Sequence, residues 1–365
     1  MTSMRNEAPF IVEWLAYHRV IGFTDFVIFS NDCEDGTDAI LGRLAQMGEI
    51  SHFDNPPKGR KAVQWQALSR AWPLPQIRAA DWIMASDVDE FLVIHAGGGR
   101  LDDLFAAHPA ADGFMISWRM FGNAGIERFD PDPVTRQFTR AAPARLNWPW
   151  RAIQFKTVFR NSPQVRKLGV HQPRMGAQAT PHWVDDAGRS HARIAGTVRL
   201  SEEPRYGLAQ INHYALGSIE NFLVKVDRGR SNVQGGWDGL AYWADRNFND
   251  VEDLAIQRHS AAVSAEMARL MADAQLRALV EAGIAWRRAR IAELLGQLEP
   301  FHLWARVRQL GDSRVLPMAQ QRDLLRALVR LLQAERARVA ESSRTPRTGP
   351  GGPMPDNRQG GAGAP

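Results

Sequence analysis

The chain has a single cysteine, Cys33, in 365 residues, which excludes an intrachain disulfide and fits a reducing compartment. No uninterrupted apolar run approaches the roughly 18 residues of a membrane-spanning helix. The opening residues, MTSMRNEAPF, lack the apolar stretch of a secretory signal, so a cytoplasmic location is the expectation. Zinc-finger and RNP-type motifs are missing. The basic residues, mostly arginine, are scattered and not gathered in blocks, which argues against nucleic acid as a partner. There is no internal repeat.

What is present suits a globular protein of one large domain or two smaller ones, because 44% of the residues are apolar and can build a core. The formal net charge of +5 suits an anionic ligand or an anionic membrane surface. Tryptophan is abundant, and Trp118, Trp148, Trp150, Trp183, Trp237 and Trp243 stand beside polar residues. Such rings serve as core fillers or as platforms for sugars and bases.

Apolar residues at helical spacing over residues 7–21 predict a helix that Gly22 ends. Phe26-Val27-Ile28-Phe29 reads as a buried strand, residues 37–47 as a helix, Ile50-Ser51-His52-Phe53 as a strand and residues 61–72 as a helix. A further strand, residues 82–86, runs into acids. This alternation predicts an α/β fold with a mostly parallel sheet flanked by helices. Ligands bind such sheets beyond the carboxyl ends of the strands, so the polar turns at 30–37 and 86–90 are expected on one edge. Residues 112–215 are loop-rich, with strands expected at 114–118 and 156–160. From residue 250 to 340 the pattern is helical, with Met267, Leu270, Met271, Leu276, Leu279, Val280 and Ile284 on one face. Arg287, Arg288 and Arg290 mark the other face, which reads as a solvated surface or as one compatible with anionic lipid. The division expected is residues 1–245, a helical extension over 246–341, and a disordered Pro/Gly-rich tail over 342–365.

Three carboxylates follow the 82–86 strand in Ser86-Asp87-Val88-Asp89-Glu90-Phe91. Residues at i and i+2 of extended chain share a side, and two carboxylates there repel unless a cation intervenes. A hard divalent cation that also binds phosphate oxygens would serve. The plainer reading is an acidic turn with one Asp as a cap. Asn31-Asp32-Cys33-Glu34-Asp35-Gly36-Thr37 divides the same way, into a turn with a helix cap or carboxylates that meet a base and a ribose. Arg5-Asn6-Glu7-Ala8-Pro9 has ordinary helix-start residues. Ile211-Asn212-His213-Tyr214, with Ser218, Lys225 and Arg228 beyond it, offers a histidine able to return to a metal site.

Together, Asn6-Glu7-Ala8-Pro9, Glu13-Trp14-x-x-Tyr17-His18, Gly22-Phe23, Asn31-Asp32-x-x-Asp35-Gly36-Thr37, Asp87-Val88-Asp89-Glu90-Phe91 and Asn212-His213-Tyr214 resemble the family 2-like bacterial glycosyltransferases of the GT-A fold. The resemblance spans roughly residues 4–232. It implies transfer of a sugar from a nucleotide donor, most simply UDP-linked, to a cell-surface glycan or lipid-linked acceptor, with inversion. It implies Mn²⁺ or Mg²⁺ held by Asp87, Asp89 and His213. Donor contacts would come from Asn6, Glu7, Asp32, Asp35, Asp87, Lys225 and Arg228. The acceptor base is left among Glu127, Glu90 and Asp185, with Glu127 favoured because it follows the loop Phe121-Gly122-Asn123-Ala124-Gly125. The family's first strand should be reduced here to a stub, because only Met1–Arg5 precede Asn6. A sugar-phosphate nucleotidyltransferase would share the carboxylates and the sheet but usually carries a Gly-rich phosphate loop near the first strand. A non-catalytic sugar-nucleotide or glycan-binding module would not need Asp87 and Asp89 intact. A peripheral contact at the inner face of the membrane fits the arginine-bearing helices.

Overall fold

A computed structural model describes residues 1–59, 62–194, 196–198, 205–229 and 238–342, the side chains of 338–342 excepted. The expected tail beyond 342, and Trp237, lie outside the described residues. The elements that build the site are β1 (Thr2–Met4), α1 (Ile11–Val20), β2 (Val27–Ser30), α2 (Thr37–Gln46), β3 (Ser51–Asp54), α3 (Val63–Ala71), β4 (Trp82–Met84), β5 (Glu90–Ile94), β6 (Gly113–Met120), β7 (Phe155–Arg160), β8 (Trp183–Asp185) and β9 (Ala209–His213). They are followed by α4 (Ile219–Asp227), α5 (Gly239–Ala244), α6 (Ser260–Met271), α7 (Ala274–Leu295), α8 (Leu298–Leu310) and α9 (Met318–Ser342).

Strands β1, β2 and β3 pair in parallel. The backbone of Met1 joins this sheet to β4, donating to the Met84 carbonyl at 2.9 Å and accepting from the Ser86 amide at 3.1 Å. Beyond β4 the expectation of a mostly parallel sheet needs correction, because the sheet is mixed. β4 pairs antiparallel with β7, β7 with β6, and β5 with β9, while β6 runs parallel to β8 and β9. Parallel neighbours need a crossover of a dozen or more residues, usually a helix. The first third of the chain supplies such helices, whereas β4 and β5 are separated only by the turn at 85–89 and β6 and β7 by a loop-rich stretch.

Helix α1 buries eight of its ten residues, Ile11 through His18. Two of its side chains grip β5: Trp14 Nε1 donates to the Glu90 carbonyl at 3.2 Å and Tyr17 Oη to that of Leu92 at 2.8 Å. These bonds fix where the acidic turn enters the strand. One core runs from Met4 and α1 through β5, β6 and β9 to Leu270, Leu276 and Val280, so α6 and α7 close the same core as the sheet. Met267, Met271, Leu279 and Ile284 pack partly buried against it, as their spacing predicts. Gly283 permits that approach: a Cβ there would lie 2.5 Å from Ala8 Cβ.

The arginine face needs correction too. Arg287 is buried and donates to the Asn6 carbonyl at 2.6 Å, and Arg290 pairs with Asp227 at 2.8 Å. Of the three arginines expected to face solvent or lipid, Arg288 is the exposed one. Among the described residues no helix is long and apolar enough to cross a membrane.

Candidate active site

The acidic turn ends at β5, where Val88 is buried in the core. Val88 and Asp89 form a turn closed by the Glu90 amide on the Asp87 carbonyl at 3.1 Å, and with Val88 buried in it Asp87 and Asp89 are left half-buried on the cleft side. Both line a cleft of about 360 Å³ that also takes in Arg5, Glu7 and Asn31 from the parallel strands' edge. The turns at 30–37 and 86–90 therefore meet on one edge.

The two carboxylates that face the cleft meet different ammonium groups. Asp87 accepts from Lys156 Nζ at 3.1 Å and from Gln64 Nε2 at 3.0 Å. Asp89 accepts from Lys225 Nζ at 2.6 Å, and His213 Nε2 lies 3.7 Å from its other oxygen. Burial alone would raise the Asp89 carboxyl, but Lys225 and His213 outweigh it and hold the pKa well below the ordinary 3.8. Burial lowers the His213 imidazole, partly offset by Asp89, which favours the neutral ring.

Lys156 is 1% exposed and sits 3.2 Å from Glu90 as well. Burial would lower its pKa, yet Asp87 and Glu90 raise it, so the ammonium stays charged inside the sheet. Glu90 itself is fully buried, and burial pushes its carboxyl well above the usual range despite Lys156. It accepts from the Asp87 amide at 3.0 Å and the Ser86 hydroxyl at 3.2 Å, so it braces the turn from behind and does not face the cleft.

Helix α4 brings two cations to the opposite wall. Ser218 starts it by accepting from the Asn221 amide at 3.1 Å, and Lys225 and Arg228, three apart, share a face. Arg228 pairs with Glu7, whose carboxyl is raised by burial and pulled back by Arg228 and Arg287. Sequence reasoning missed Arg246, which lines the same cleft, is 3% exposed and stacks 3.7 Å from the Tyr242 ring centroid. Its Nε has no hydrogen-bond partner and, among the described residues, it has no carboxylate partner. A buried guanidinium without an anion is costly unless a ligand supplies one. No motif marks Arg246; the only signal is the run of aromatic residues before it in α5.

Other expected site residues lie elsewhere. Asp35 accepts from the Ala8 amide at 2.9 Å and the Thr37 amide at 3.0 Å, capping the start of α2 and fixing the α1 approach. Asn6, at φ 54°, accepts from the Glu34 amide at 2.8 Å. Asp32 is exposed and accepts from Asn31 at 3.0 Å. None of these three lines the cleft. Glu127 is half-buried and pairs with Arg308 at 2.7 Å, and Asp185 is buried against Arg189 and His191. Neither reaches the cleft, so the structure brings no acceptor base from Glu127, Glu90 or Asp185.

A family model for glycosyltransferase family 92 matches residues 1–187, half of the chain. This chain belongs to glycosyltransferase family 92. The matched residues contain the acidic turn and both halves of the sheet edge. The family 92 chain is similar to a glycosyltransferase family 92 protein of Oryza sativa subsp. japonica, with 27% identity over 151 residues, which cover 40% of this chain and 25% of that protein. A glycosyltransferase family 92 protein of Ricinus communis is 27% identical over 143 residues, covering 38% and 25%. The matched stretch thus spans about a quarter of the length of these curated relatives. The family 92 assignment overturns the family 2-like resemblance. That resemblance rested on a few short signatures, whereas the family model weighs the whole of residues 1–187.

Among the described residues no three His, Cys, Asp or Glu side chains form a ready-made metal cluster. Asp87 and Asp89 nevertheless present hard oxygen donors to the cleft beside the His213 ring. That set fits a cation such as Mg²⁺, which commonly takes one or two carboxylates and completes its shell from substrate phosphates and water.

Proposed function

We propose that this family 92 chain transfers a sugar from a nucleotide diphosphate donor, UDP-linked first among the candidates, to a glycan or lipid-linked acceptor. In this reading the sheet and its acidic edge form a GT-A-type donor site. The observation that supports it most is the convergence on one cleft of Lys225, Arg228 and Arg246, the last without a carboxylate partner among the described residues, beside the Asp87-Val88-Asp89 turn.

The acceptor oxygen bonds to the anomeric carbon from the face opposite the diphosphate, inverting the centre. The bond to the diphosphate oxygen breaks, its electron pair leaves with the nucleotide, and the acceptor proton passes to solvent or a nearby base. Arg246 and Arg228 receive the negative charge that grows on the leaving oxygens, where prepositioned cations act most strongly. Lys225 holds Asp89 ionised, and Lys156 and Glu90 fix the turn that presents it. Mn²⁺ or Mg²⁺ held by Asp87, Asp89 and His213 would add charge neutralisation on the diphosphate. Asn31 and Glu7 stand on the parallel-strand side of the cleft and are assigned to the nucleoside.

Work at the inner face of a membrane is the location this reading favours. Leu298, Phe301, Leu310, Leu324, Val329, Leu331 and Leu332 are exposed on α8 and α9, beside arginines.

Calorimetric titration of UDP, with Mn²⁺ and with EDTA, into the chain and its Asp89→Ala variant tests the proposal. Binding that needs both the metal and Asp89 supports the donor site as drawn. Binding that ignores EDTA but needs Asp89 removes the metal and keeps the transfer. No binding of UDP, GDP or CDP sinks the reading, and pyrophosphate release from a nucleoside triphosphate and a sugar phosphate would replace it with nucleotidyl transfer.

A further inference from the structure

A second cleft, about 510 Å³, opens next to the first, and Val170 and His171 line both. Consecutive residues at the start of α3 divide between them: Gln64 faces the first cleft and Trp65 the second. Trp65 is 37% exposed, the most exposed tryptophan among the described residues. The Arg174 guanidinium lies 5.8 Å from its ring centroid and steadies it at the cleft mouth. Trp183 forms a fixed wall, because its ring occupies the space a side chain at Gly113 would need; a Cβ there would lie 2.2 Å from it. Pro173 and Met175 add apolar surface, while Arg174 and Arg193 add charge. None of the described lining residues is an aspartate or glutamate.

An exposed indole beside apolar walls offers a face for the C–H side of a pyranose ring. Arginines with no carboxylate among the described lining residues offer planar forks for an anion. A ligand with both properties is an acidic saccharide. The junction at His171, whose Nδ1 is fixed on the Phe155 carbonyl at 2.9 Å, is where a saccharide in the second cleft would abut a donor held in the first.

We infer that this second cleft is the acceptor site and that it takes a carboxylate-bearing saccharide, laid on Trp65 with its anionic group at Arg174 and Arg193. This rests on the glycosyltransferase reading, because a groove is an acceptor site only if a donor binds beside it.

The test uses the full chain with saturating UDP and Mn²⁺. A set of uronate-containing tetrasaccharides and neutral tetrasaccharides of equal length is titrated, and Trp65→Ala and Arg174→Gln are compared with the parent. UDP affinity is measured on each protein as a check on the first cleft and on folding. The expected result is binding of an acidic tetrasaccharide that weakens by about tenfold or more in either variant, with UDP affinity unchanged. Neutral tetrasaccharides should bind about tenfold more weakly than acidic ones. Equal binding of acidic and neutral saccharides overturns the anionic assignment. Binding indifferent to both substitutions, or no saccharide binding while UDP binds, overturns the site. If UDP fails but saccharide binding still depends on Trp65 and Arg174, the transferase reading and the acceptor role fall together and a glycan-binding groove stands.

Discussion

Two acidic turns meet at the same sheet edge, and they use their carboxylates in opposite ways. In the turn at 30–37, Asp35 accepts from two backbone amides, and the exposed Asp32 carboxylate accepts from its neighbour Asn31. In the turn at 86–90, Asp87 and Asp89 each meet a lysine from a distant strand or helix, and both face the cleft. Amide partners make a carboxylate part of the scaffold, since the bonds satisfy helix-start groups that nothing else would. Ammonium partners keep it ionised and presentable to a ligand. The same residue types serve the fold in one turn and chemistry in the other, and the difference lies in what the rest of the chain brings to them.

Substitutions can break this contrast, and the largest effect is expected at Lys156. Lys156→Met leaves Asp87 and Glu90 without their shared buried cation, and a loss of about 3 kcal/mol or more in denaturant unfolding is expected. A change within about 0.5 kcal/mol would mean the buried ammonium does not hold the turn. Asp89→Ala should lower donor turnover by about 100-fold, the scale for removing one charge-handling group, with secondary structure intact by circular dichroism. Asp35→Ala should do the reverse: about 2 kcal/mol of stability lost with the two amides uncapped, and turnover per folded molecule retained.

The acid limb of the stability curve sharpens the contrast further. The folded Asp89 pKa lies below its ordinary 3.8, so its stabilisation is full above that value and is lost as pH falls through the lower folded pKa. Asp89→Asn should therefore be less stable than the parent at pH 6, with the gap closing as unfolding is followed below 3.8. A gap independent of pH would show that Asp89 contributes through packing and not through charge. A smaller effect is expected at exposed Asp32, which sits at φ 47°: Asp32→Ala should cost about 1 kcal/mol through the left-handed backbone and leave UDP affinity unchanged, and Asp32→Asn should shift stability by no more than about 0.5 kcal/mol.

Much of the edge was legible before any coordinates. The strands at 27–30, 51–54 and 82–84 and the helices between them follow their apolar spacing closely, because each is short, buried and bounded by a turn. In the chain's middle the strands expected at 114–118 and 156–160 form, as β6 and β7, but their pairing was not legible. Strands β7, β8 and β9 pair with β6 across long loops, and a register set at such distance leaves little trace in local sequence. The acid residues were found easily, but their sorting was not: Glu90 looks like a third functional carboxylate and proves to be a buried brace, and Glu127 and Asp185 lie outside the cleft. Lys156 and Arg246 went unnoticed because a lone cation in a strand or after a helix has no motif.

By itself the sequence determined the alternating α/β frame of the first ninety or so residues and the cluster of carboxylates that follows the 82–84 strand. Periodicity and burial are local properties, written residue by residue. Only the tertiary structure decided which carboxylate serves as cap, brace or ligand-facing group, because that depends on partners 69 and 136 positions away. It also decided that α7 packs against Asn6 and Asp35, behind the sheet edge that carries both turns. Charge placement in a folded protein is a property of neighbours in space, and a linear pattern does not carry it.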